Sequence, residues 1–253
     1  MLVCEEDEIL IGSDMSSLED RIKHHFQYPL DPEYVKTQMA PDFDPHLLIA
    51  VIAGLMQESE MIYFKAHKDE HTPEVKRLSG IRQVGKGGNY SCQYGAMPPT
   101  VARSCGVDEA TGRKVHTAYW KLNWSIKSIA KSTRVFKDKS GKMWQQNPIN
   151  NFWYHLKVEK DRFSTLAQGS GAYAFDTWIK HMIVLCYKKW KRDLPLCGDF
   201  HDEVILRCKK NPVAQKMMHD MMREAILLTN EELKLNRELD IDIQFNTSYA
   251  GIH

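Results

Sequence analysis

Hydrophobic and polar residues alternate near both ends of the chain, and this pattern predicts β-strands there. The segment DEILIGSD, residues 7–14, is typical of a short buried strand that ends at Asp14. In the segment LDIDIQF, residues 239–245, every second residue is apolar. Strict alternation of this kind indicates a strand with one buried face.

The middle of the chain carries the three-to-four-residue periodicity of helices. Thr72 and Pro73 are typical of a helix N-cap and of the first helical position after it. Residues 113–131 predict one long amphipathic helix, and residues 168–186 predict a helix with a buried apolar face. That buried face is expected to contain Phe175, Trp178, Ile179, Met182, Ile183 and Cys186. Further helices are predicted for residues 16–26, for residues 45–57, and from Asn211-Pro212 onward, with Met217, Met221, Ala225 and Leu228 on one stripe.

Two segments have the composition of β-hairpins. Residues 136–144 contain the turn residues of a short hairpin. Residues 194–208, LPLCGDFHDEVILRC, predict a strand, a tight turn and a second strand, with His201, Asp202 and Glu203 at the tip. Three ionisable side chains in a row are costly inside a sheet, whereas a hairpin tip is solvated.

The order of these elements predicts the fold class. Strands occur near both ends of the chain, and a block of helices lies between them. This order is typical of an α+β protein. We therefore expect a sheet domain with a helical insertion of about residues 40–135.

The composition is that of an ordinary globular protein. Of 253 residues, 43% are hydrophobic and 26% are charged, and the formal net charge is +1. Overall charge therefore does not indicate a nucleic-acid-binding protein, and any basic surface must be local. Residues 113–143 form such a local region, because they contain nine Lys or Arg residues and a single acidic residue, Asp138.

The cysteines and the apolar runs indicate a cytoplasmic protein with reduced thiols. The six cysteines show neither a CxxC pair nor the Cys/His spacing of a zinc site, and a chain of this length rarely depends on disulfides. The longest apolar run, LLIAVIAGLM, has ten residues, whereas a membrane span needs about 20. The N-terminus also lacks the pattern of a signal peptide.

A pair of carboxylates gives the hairpin tip a chemical interpretation. An isolated His-Asp-Glu is most often a polar turn, but Asp14 ends the first predicted strand. If that strand lies beside the hairpin, Asp14 and Asp202 are neighbours. Two such carboxylates repel each other unless cations lie between them, and hard oxygen ligands suit Mg²⁺. Two metal ions about 3.5–4 Å apart are the usual device for in-line phosphoryl transfer.

A second candidate site lies in the helix that follows Thr72. Four side chains spaced four residues apart form a stripe along this helix, namely Arg82, Lys86, Tyr90 and Tyr94. The cations suit phosphates and the rings suit a base or a sugar, although a solvated polar face is the alternative. Gly85, Gly87 and Gly88 each cost about 1 kcal/mol relative to Ala, so we expect a helix that is marginal on its own and able to bend or move. The segment GKGGN is not a Walker phosphate loop.

These segments together resemble the polymerase region of family A DNA polymerases, the bacterial DNA polymerase I and phage replicative type. The resemblance extends over nearly the whole chain, and the motifs occur in the family's order. The matching segments are SDMSSLEDR (13–21) for motif A, FDPH (43–46) for an Asp-x-His element, RQVGKGGNYSCQYG (82–95) for motif B, AQGSGA (167–172) for a Gln-Gly element, FHDEV (200–204) for motif C, and GIH (251–253) for the end of phage members.

The resemblance implies a catalytic role for the hairpin tip and the first strand. Asp14 and Asp202 would hold two Mg²⁺ ions with help from the backbone carbonyl of Met15. Glu203 would lie beside them as an auxiliary carboxylate. Lys86 would donate a proton to the leaving pyrophosphate.

The resemblance also implies contacts with the nucleotide and with DNA. The triphosphate of a dNTP would be bound by His46, Arg82 and Lys86. Tyr90 would pack on the sugar and base, and Tyr94 and Glu19 would close the pocket at the ribose 2′ position. The primer–template would be contacted near its terminus by Arg162, Gln168 and His201.

The resemblance further implies a division into a palm and fingers. The palm would comprise residues 1–40 and 136–253, with the motif C hairpin near 194–208. The fingers would comprise residues 41–135, with the motif B helix near 73–95. Because the family's thumb and exonuclease precede motif A, we expect a split polymerase, possibly from a phage, whose second polypeptide carries both domains. The expected location is the cytoplasm, which is the host's cytoplasm for a phage protein.

Two other functions compete with a DNA-directed DNA polymerase. A single-subunit RNA polymerase has the same cleft architecture. Glu19 argues against this alternative, because a glutamate at the matching position of the family's DNA enzymes resembles a steric gate that excludes ribose. A non-catalytic DNA-binding remnant has no need of both Asp14 and Asp202.

Overall fold

The computed structural model describes residues 4–252, so the terminal His253 of the GIH segment lies outside the described residues. The strands are β1 (Glu8–Met15), β2 (Val135–Lys137), β3 (Met143–Gln146), β4 (Trp153–Leu156), β5 (Leu196–Phe200), β6 (Glu203–Lys209) and β7 (Ile241–Asn246). The helices are α1 (Leu18–Gln27), α2 (Pro32–Gln38), α3 (Pro45–Ile52), α4 (Glu58–His67), α5 (Pro73–Gln93), α6 (Pro98–Cys105), α7 (Glu109–Leu122), α8 (Trp124–Ser132), α9 (Arg162–Trp190) and α10 (Pro212–Leu233). Short 3₁₀ turns occur at Glu159–Asp161 and Tyr249–Gly251. Within the described residues, no helix has both the length and the apolar composition of a membrane span.

The described chain divides into two compact units. The first unit contains residues 4–26, 146–154 and 166–252, and the second contains residues 27–145 and 155–165. The assignment of palm and fingers, with the boundaries given above, stays a prediction. Each unit has its own core.

The first unit is built on an antiparallel sheet with the strand order β5-β6-β1-β7. β1 lies in the interior of this sheet and pairs with β6 on one side and with β7 on the other. The prediction that the first strand lies beside the 194–208 hairpin is therefore confirmed. β1 is almost continuously buried, as expected of a strand that is covered on both faces.

Helices α9 and α10 pack together in the first unit. Trp178 is completely buried, and its indole Nε1 donates a hydrogen bond to the carbonyl of Met222 at 3.3 Å. The predicted buried face of α9 was partly wrong, because Ile183 is exposed. Met217, in the stripe predicted on α10, is exposed as well. A strict four-residue repeat turns by about 40° per step around a helix. The buried side of α10 therefore includes the positions next to the predicted stripe, namely Met218, Met222, Ile226 and Thr229.

Two predicted helices are shorter than expected. The helix predicted over residues 113–131 is broken at Asn123, whose side-chain amide donates to the carbonyl of Tyr119 at 3.1 Å. Asparagine side chains compete with the backbone for hydrogen bonds in this way. The helix predicted over residues 45–57 ends at Ile52, because Gly54 adopts a left-handed conformation with φ +70°.

The core of the second unit lies between α3, α4 and α5. Its buried side chains are Leu47, Ala50, Met56, Phe64, Val75 and Leu78. The predicted start of α5 is confirmed, because the Thr72 hydroxyl accepts a hydrogen bond from the amide of Val75 at 3.2 Å, and Pro73 is the first helical residue. The predicted hairpin over residues 136–144 is also confirmed, because β2 pairs antiparallel with β3.

Helix α5 is continuous over 21 residues although it is rich in glycine. A β-carbon at Gly85 would overlap the carbonyl oxygen of His46 on α3, and one at Gly88 would overlap Cγ1 of Val115 on α7. The glycines therefore allow two neighbouring helices to approach α5 closely. Packing against these helices offsets the low helix propensity of the glycines.

Two glycines in the same helix should respond oppositely to substitution by alanine. Gly80 has no atom within 4 Å of an added β-carbon, so Gly80→Ala should raise the free energy of unfolding by about 0.5–1 kcal/mol. Gly85→Ala should lower it by about 1–3 kcal/mol, because the added methyl group pushes α3 away. Urea denaturation of both variants measures the difference. Equal stability of the two variants would contradict the close packing of α3 on α5.

Candidate functional site

Three carboxylates lie side by side on one face of the sheet in the first unit. The β1 register places Asp14 directly opposite Glu203 of β6 and directly opposite Asp242 of β7. Residues that are directly opposite in an antiparallel sheet point to the same face. Asp242 was missed by sequence reasoning, although the alternation of residues 239–245 places it on the face opposite the apolar residues.

The hairpin tip adds Asp202 to this row. His201 and Asp202 form the turn between β5 and β6, and His201 adopts a left-handed conformation with φ 58°. The amide of Met15 donates a hydrogen bond to the carbonyl of Asp202 at 3.0 Å. This bond holds the turn against the end of β1, so the expected proximity of Asp14 and Asp202 is confirmed at the level of the backbone.

The hairpin tip and the end of β1 share a cavity of about 460 Å³. Its lining includes Asp14, Asp202 and Glu203, whereas Asp242 does not line it. The other lining residues are Gly12, Ser13, Phe200, His201, Gln244, Tyr249 and Ile252. A larger cavity of about 560 Å³ elsewhere in the first unit is mainly apolar and contains neither Asp14 nor Asp202. We therefore place the candidate chemistry in the smaller cavity.

Glu203 and Asp242 have hydroxyl partners. Glu203 is only 7% exposed and accepts a hydrogen bond from the Tyr249 hydroxyl at 3.4 Å. Loss of hydration and the negative charge of Glu203 both raise the pKa of Tyr249 above its ordinary value. Tyr249 therefore stays a neutral donor to Glu203. Asp242 accepts a hydrogen bond from the Ser16 hydroxyl at 2.8 Å.

The donor set at this cavity has the chemistry that Mg²⁺ prefers. Asp14 is exposed and Asp202 is half-buried, so both carboxylates are accessible from the cavity. Carboxylate oxygens are hard ligands, and Mg²⁺ usually keeps several waters beside one or two of them. Among residues 4–252, no three Asp, Glu, His or Cys side chains are grouped to hold one metal ion together.

In the second unit, Asp44 connects two of the residues singled out by the sequence. One carboxylate oxygen accepts hydrogen bonds from the amides of His46 at 2.9 Å and Leu47 at 3.1 Å, so Asp44 caps α3. The other oxygen accepts a hydrogen bond from Nε of Arg82 at 2.6 Å. Partial burial raises the pKa of Asp44, but the bonds from Arg82 and Leu47 outweigh it, and the pKa lies below its ordinary value.

Sequence reasoning gave Asp44 no role of its own. An Asp-Pro pair immediately before an apolar helix is a recognisable N-cap signal. The ion pair with Arg82 has no such local signal, because it depends on the packing of α3 against α5.

The predicted stripe on α5 lies next to this ion pair. The ring of Tyr90 lies 5.9 Å from the ring of His46, between centroids, and 6.0 Å from Nζ of Lys86. Lys86 and Tyr90 are exposed, and Arg82 is half-buried. The structure therefore brings His46, Arg82, Lys86 and Tyr90 together. Tyr94 is the C-cap residue just after α5 and is also exposed.

The remaining predicted site residues belong neither to the carboxylate cavity nor to the group of His46, Arg82, Lys86 and Tyr90. Glu19 is exposed in the first turn of α1, and Gln168 is exposed on α9. Neither lines the 460 Å³ cavity. Arg162 is bound by its own unit, because it pairs with Glu159 at 2.5 Å and donates to the carbonyl of Ala130 at 3.3 Å. A DNA contact by Arg162 stays a prediction.

Comparisons with known proteins show the fold of the chain. No protein-family model and no curated protein sequence matches it. Among solved structures, it is similar to the POL domain of Pol1 from M. smegmatis in complex with DNA primer–template and dNTP, with a TM-score of 0.69 and 17% sequence identity. The similarity covers 99% of this chain and 42% of that chain, so this chain spans less than half of its neighbour's length. The predicted α+β fold class, a helical and antiparallel arrangement like that of a polymerase domain, is thereby confirmed.

Proposed function

We propose that this chain is the catalytic palm-and-fingers portion of a DNA-directed DNA polymerase, which transfers a nucleotide from a dNTP to a primer 3′-hydroxyl. The observation that supports this most strongly is the junction of β1 with the β5–β6 turn. Asp14 and Asp202, which are far apart in the sequence, lie close along the backbone there and line one cavity in a polymerase-like fold. The DNA and dNTP named for the structural neighbour fit the same activity.

The first unit supplies the carboxylates for this reaction. Asp14 and Asp202, with the carbonyl of Met15, would hold two Mg²⁺ ions, which when bound stabilise negative charge on the attacking and leaving oxygens. Glu203 keeps the cavity negative, and the hydroxyl of Tyr249 orients its carboxylate. His201, which lines the cavity, would contact the primer–template. Gln168 and Arg162 are also proposed to contact the primer–template.

The second unit supplies the groups for the nucleotide. Asp44 holds Arg82 through Nε, so the terminal nitrogens of the guanidinium would be the ones to bind the triphosphate. Asp44 also fixes the start of α3, which carries His46. Lys86 would bind the triphosphate and protonate the leaving pyrophosphate. Tyr90 would pack on the sugar and base, and Tyr94 would act at the ribose 2′ position. Glu19, which belongs to the first unit, is proposed to act against a ribose 2′-hydroxyl.

Two parts of this proposal concern the wider assembly. A second polypeptide with a thumb and an exonuclease, in a split polymerase of phage origin, stays a prediction. Co-purification from source cells, and dependence of primer extension on both chains, would test it. The cytoplasmic location also stays a prediction.

The metal assignment predicts a loss of chemistry without a loss of DNA binding. Asp14→Ala and Asp202→Ala should each slow nucleotide addition by at least about 10³-fold, by analogy with the loss of other preorganised charge stabilisers. Asp242→Ala is the matched control, since Asp242 lies opposite Asp14 but does not line the cavity. Single-turnover primer extension and a DNA-binding assay measure both effects. Near-normal extension by Asp14→Ala or Asp202→Ala would refute the assignment.

The Asp44–Arg82 ion pair predicts a change in nucleotide affinity. Asp44→Asn keeps a good N-cap for α3 but removes the charged partner of Arg82, and a hydrogen bond to a charged group is worth about 1.5–3 kcal/mol. KM for dNTP should therefore rise by about tenfold or more, with a smaller change in kcat. Asp31→Asn is the control, because Asp31 caps α2 through the amide of Tyr34 and pairs with no arginine among the described residues. An unchanged KM in Asp44→Asn would argue against a positioning role.

The position of Glu19 predicts sugar selectivity. Glu19→Ala should open space at the 2′ position, so the ratio of ribonucleotide to deoxyribonucleotide incorporation should rise. Glu33→Ala, which removes an exposed glutamate from α2, is the control. Primer extension with dNTPs and with rNTPs also separates the alternatives. Preferential use of rNTPs by the unmodified protein would favour an RNA polymerase, and no extension with either substrate would favour a non-catalytic DNA-binding protein.

A further inference from the structure

The basic region noted in the sequence is an exposed surface of the second unit. All nine Lys and Arg residues between 113 and 143 are exposed. Within residues 4–252, eight of them form no ion pair with a carboxylate. These eight are Arg113, Lys114, Lys121, Lys127, Lys131, Lys137, Lys139 and Lys142.

The one acidic residue of this region is engaged by its own hairpin turn. The carboxylate of Asp138 accepts hydrogen bonds from Trp144 Nε1 at 2.9 Å, the Ser140 amide at 2.8 Å and the Lys142 amide at 3.0 Å. The hydrogen bonds from Trp144 Nε1 and from the Ser140 hydroxyl, which lies 2.7 Å away, lower the pKa of Asp138 to about 2. Asp138 therefore shapes the turn between β2 and β3, and the surrounding lysines remain available for an anionic ligand.

Aromatic side chains stand among these cations. Trp124 and Phe136 are 46% and 45% exposed. Trp124 lies on the same exposed side of α8 as Lys127 and Lys131, because the three residues are spaced by three and four positions. Phe136 lies between the cations of the hairpin in sequence and pairs directly with Trp144.

Helix α8 and the hairpin are held together as neighbours. Only two residues separate the end of α8 from β2. Arg162 donates to the carbonyl of Ala130 on α8, and its own carbonyl accepts a hydrogen bond from Gln145 of β3 at 2.9 Å. We define the basic face as Trp124, Lys127 and Lys131 of α8 with Phe136, Lys137, Lys139 and Lys142 of the hairpin.

We propose that the basic face binds single-stranded DNA. Its lysines contact successive phosphates, and Trp124 and Phe136 stack on unpaired bases. Surfaces that bind single strands without sequence preference combine these two features. The choice of DNA over RNA rests on the proposed polymerase function. The surface itself has no assigned part in that reaction.

The aromatic residues distinguish this ligand from other polyanions. A duplex hides its base faces, so it can use the lysines but not the rings. An acidic protein likewise matches the charge, but it offers no flat base for Trp124. A single strand is the ligand that uses both features of the basic face.

Binding of a fluorescently labelled 20-nucleotide oligo(dT) to the whole chain, without dNTP and over a range of salt, tests the proposal. Each lost phosphate contact lowers the salt slope by about 0.7 for a single strand. The triple variant Lys127→Ala/Lys137→Ala/Lys142→Ala should therefore lower the slope by about 2. Lys76→Ala/Lys188→Ala/Lys210→Ala removes the same charge from exposed lysines elsewhere and should leave the slope unchanged.

The proposed stacking of Trp124 on unpaired bases is tested by a second pair of variants. Trp124→Ala should weaken oligo(dT) binding by about fivefold or more and should leave binding of a blunt duplex unchanged. Tyr63→Ala, which removes an exposed aromatic residue from α4, should have no effect on either ligand.

Several outcomes would overturn the proposal. Equal losses in the two triple variants would show attraction by overall charge alone. Competition by poly-glutamate as strong as that by oligo(dT), together with no effect of Trp124→Ala, would indicate an acidic protein partner. Tighter binding of oligo(U) than oligo(dT) by tenfold would indicate RNA. Primer extension by the same preparations is a separate readout, so failure of the polymerase proposal leaves the expected binding pattern as support for the basic face.

Discussion

The central position of β1 is the constraint on which the candidate catalytic site depends. β1 pairs with β6 and β7, so its register alone determines which residues stand beside Asp14. A slip of one residue would turn Asp14 to the opposite face of the sheet. Both partner strands come from the last part of the chain, and such non-local pairing carries a large loop-closure cost. The carboxylate cavity can therefore form only when β1 has paired with strands from the last part of the chain.

The elements that sequence reasoning placed correctly are those with strong local signals. The Thr72 cap and the alternation in β7 are determined by residues close together in the chain. The break at Asn123 is also local, but hydrophobic periodicity does not report a side-chain hydrogen bond to the backbone. Asp242 shows a different limit, because alternation gives its face while only long-range pairing gives its neighbour.

Helix α5 and Asp44 show why other features of the structure could not be predicted from the sequence. Local propensity counts three glycines as a cost, whereas the structure uses Gly85 to bring α3 against α5. That close approach in turn lets one carboxylate cap α3 and hold Arg82 on α5. The Asp44–Arg82 pair and the glycine at position 85 both depend on the packing of two helices from different segments, so no pattern within one segment predicts the arrangement. The glycine-rich composition is thus a condition for the His46–Arg82 grouping.

Charge is separated along this chain in a way that a net charge of +1 conceals. Electrostatic interactions between exposed groups fade within about 10 Å at ordinary ionic strength, so local charge governs binding. A polyanion is repelled by the carboxylates of the first unit unless cations accompany them, and it is attracted to the lysines of the basic face in the second unit. Under the proposed function, affinity for DNA must then come from surfaces such as the basic face, and the carboxylate cavity contributes to chemistry. In a protein with almost no net charge, a polyanion is bound by separating the positive surface that attracts it from the carboxylates that carry out the chemistry.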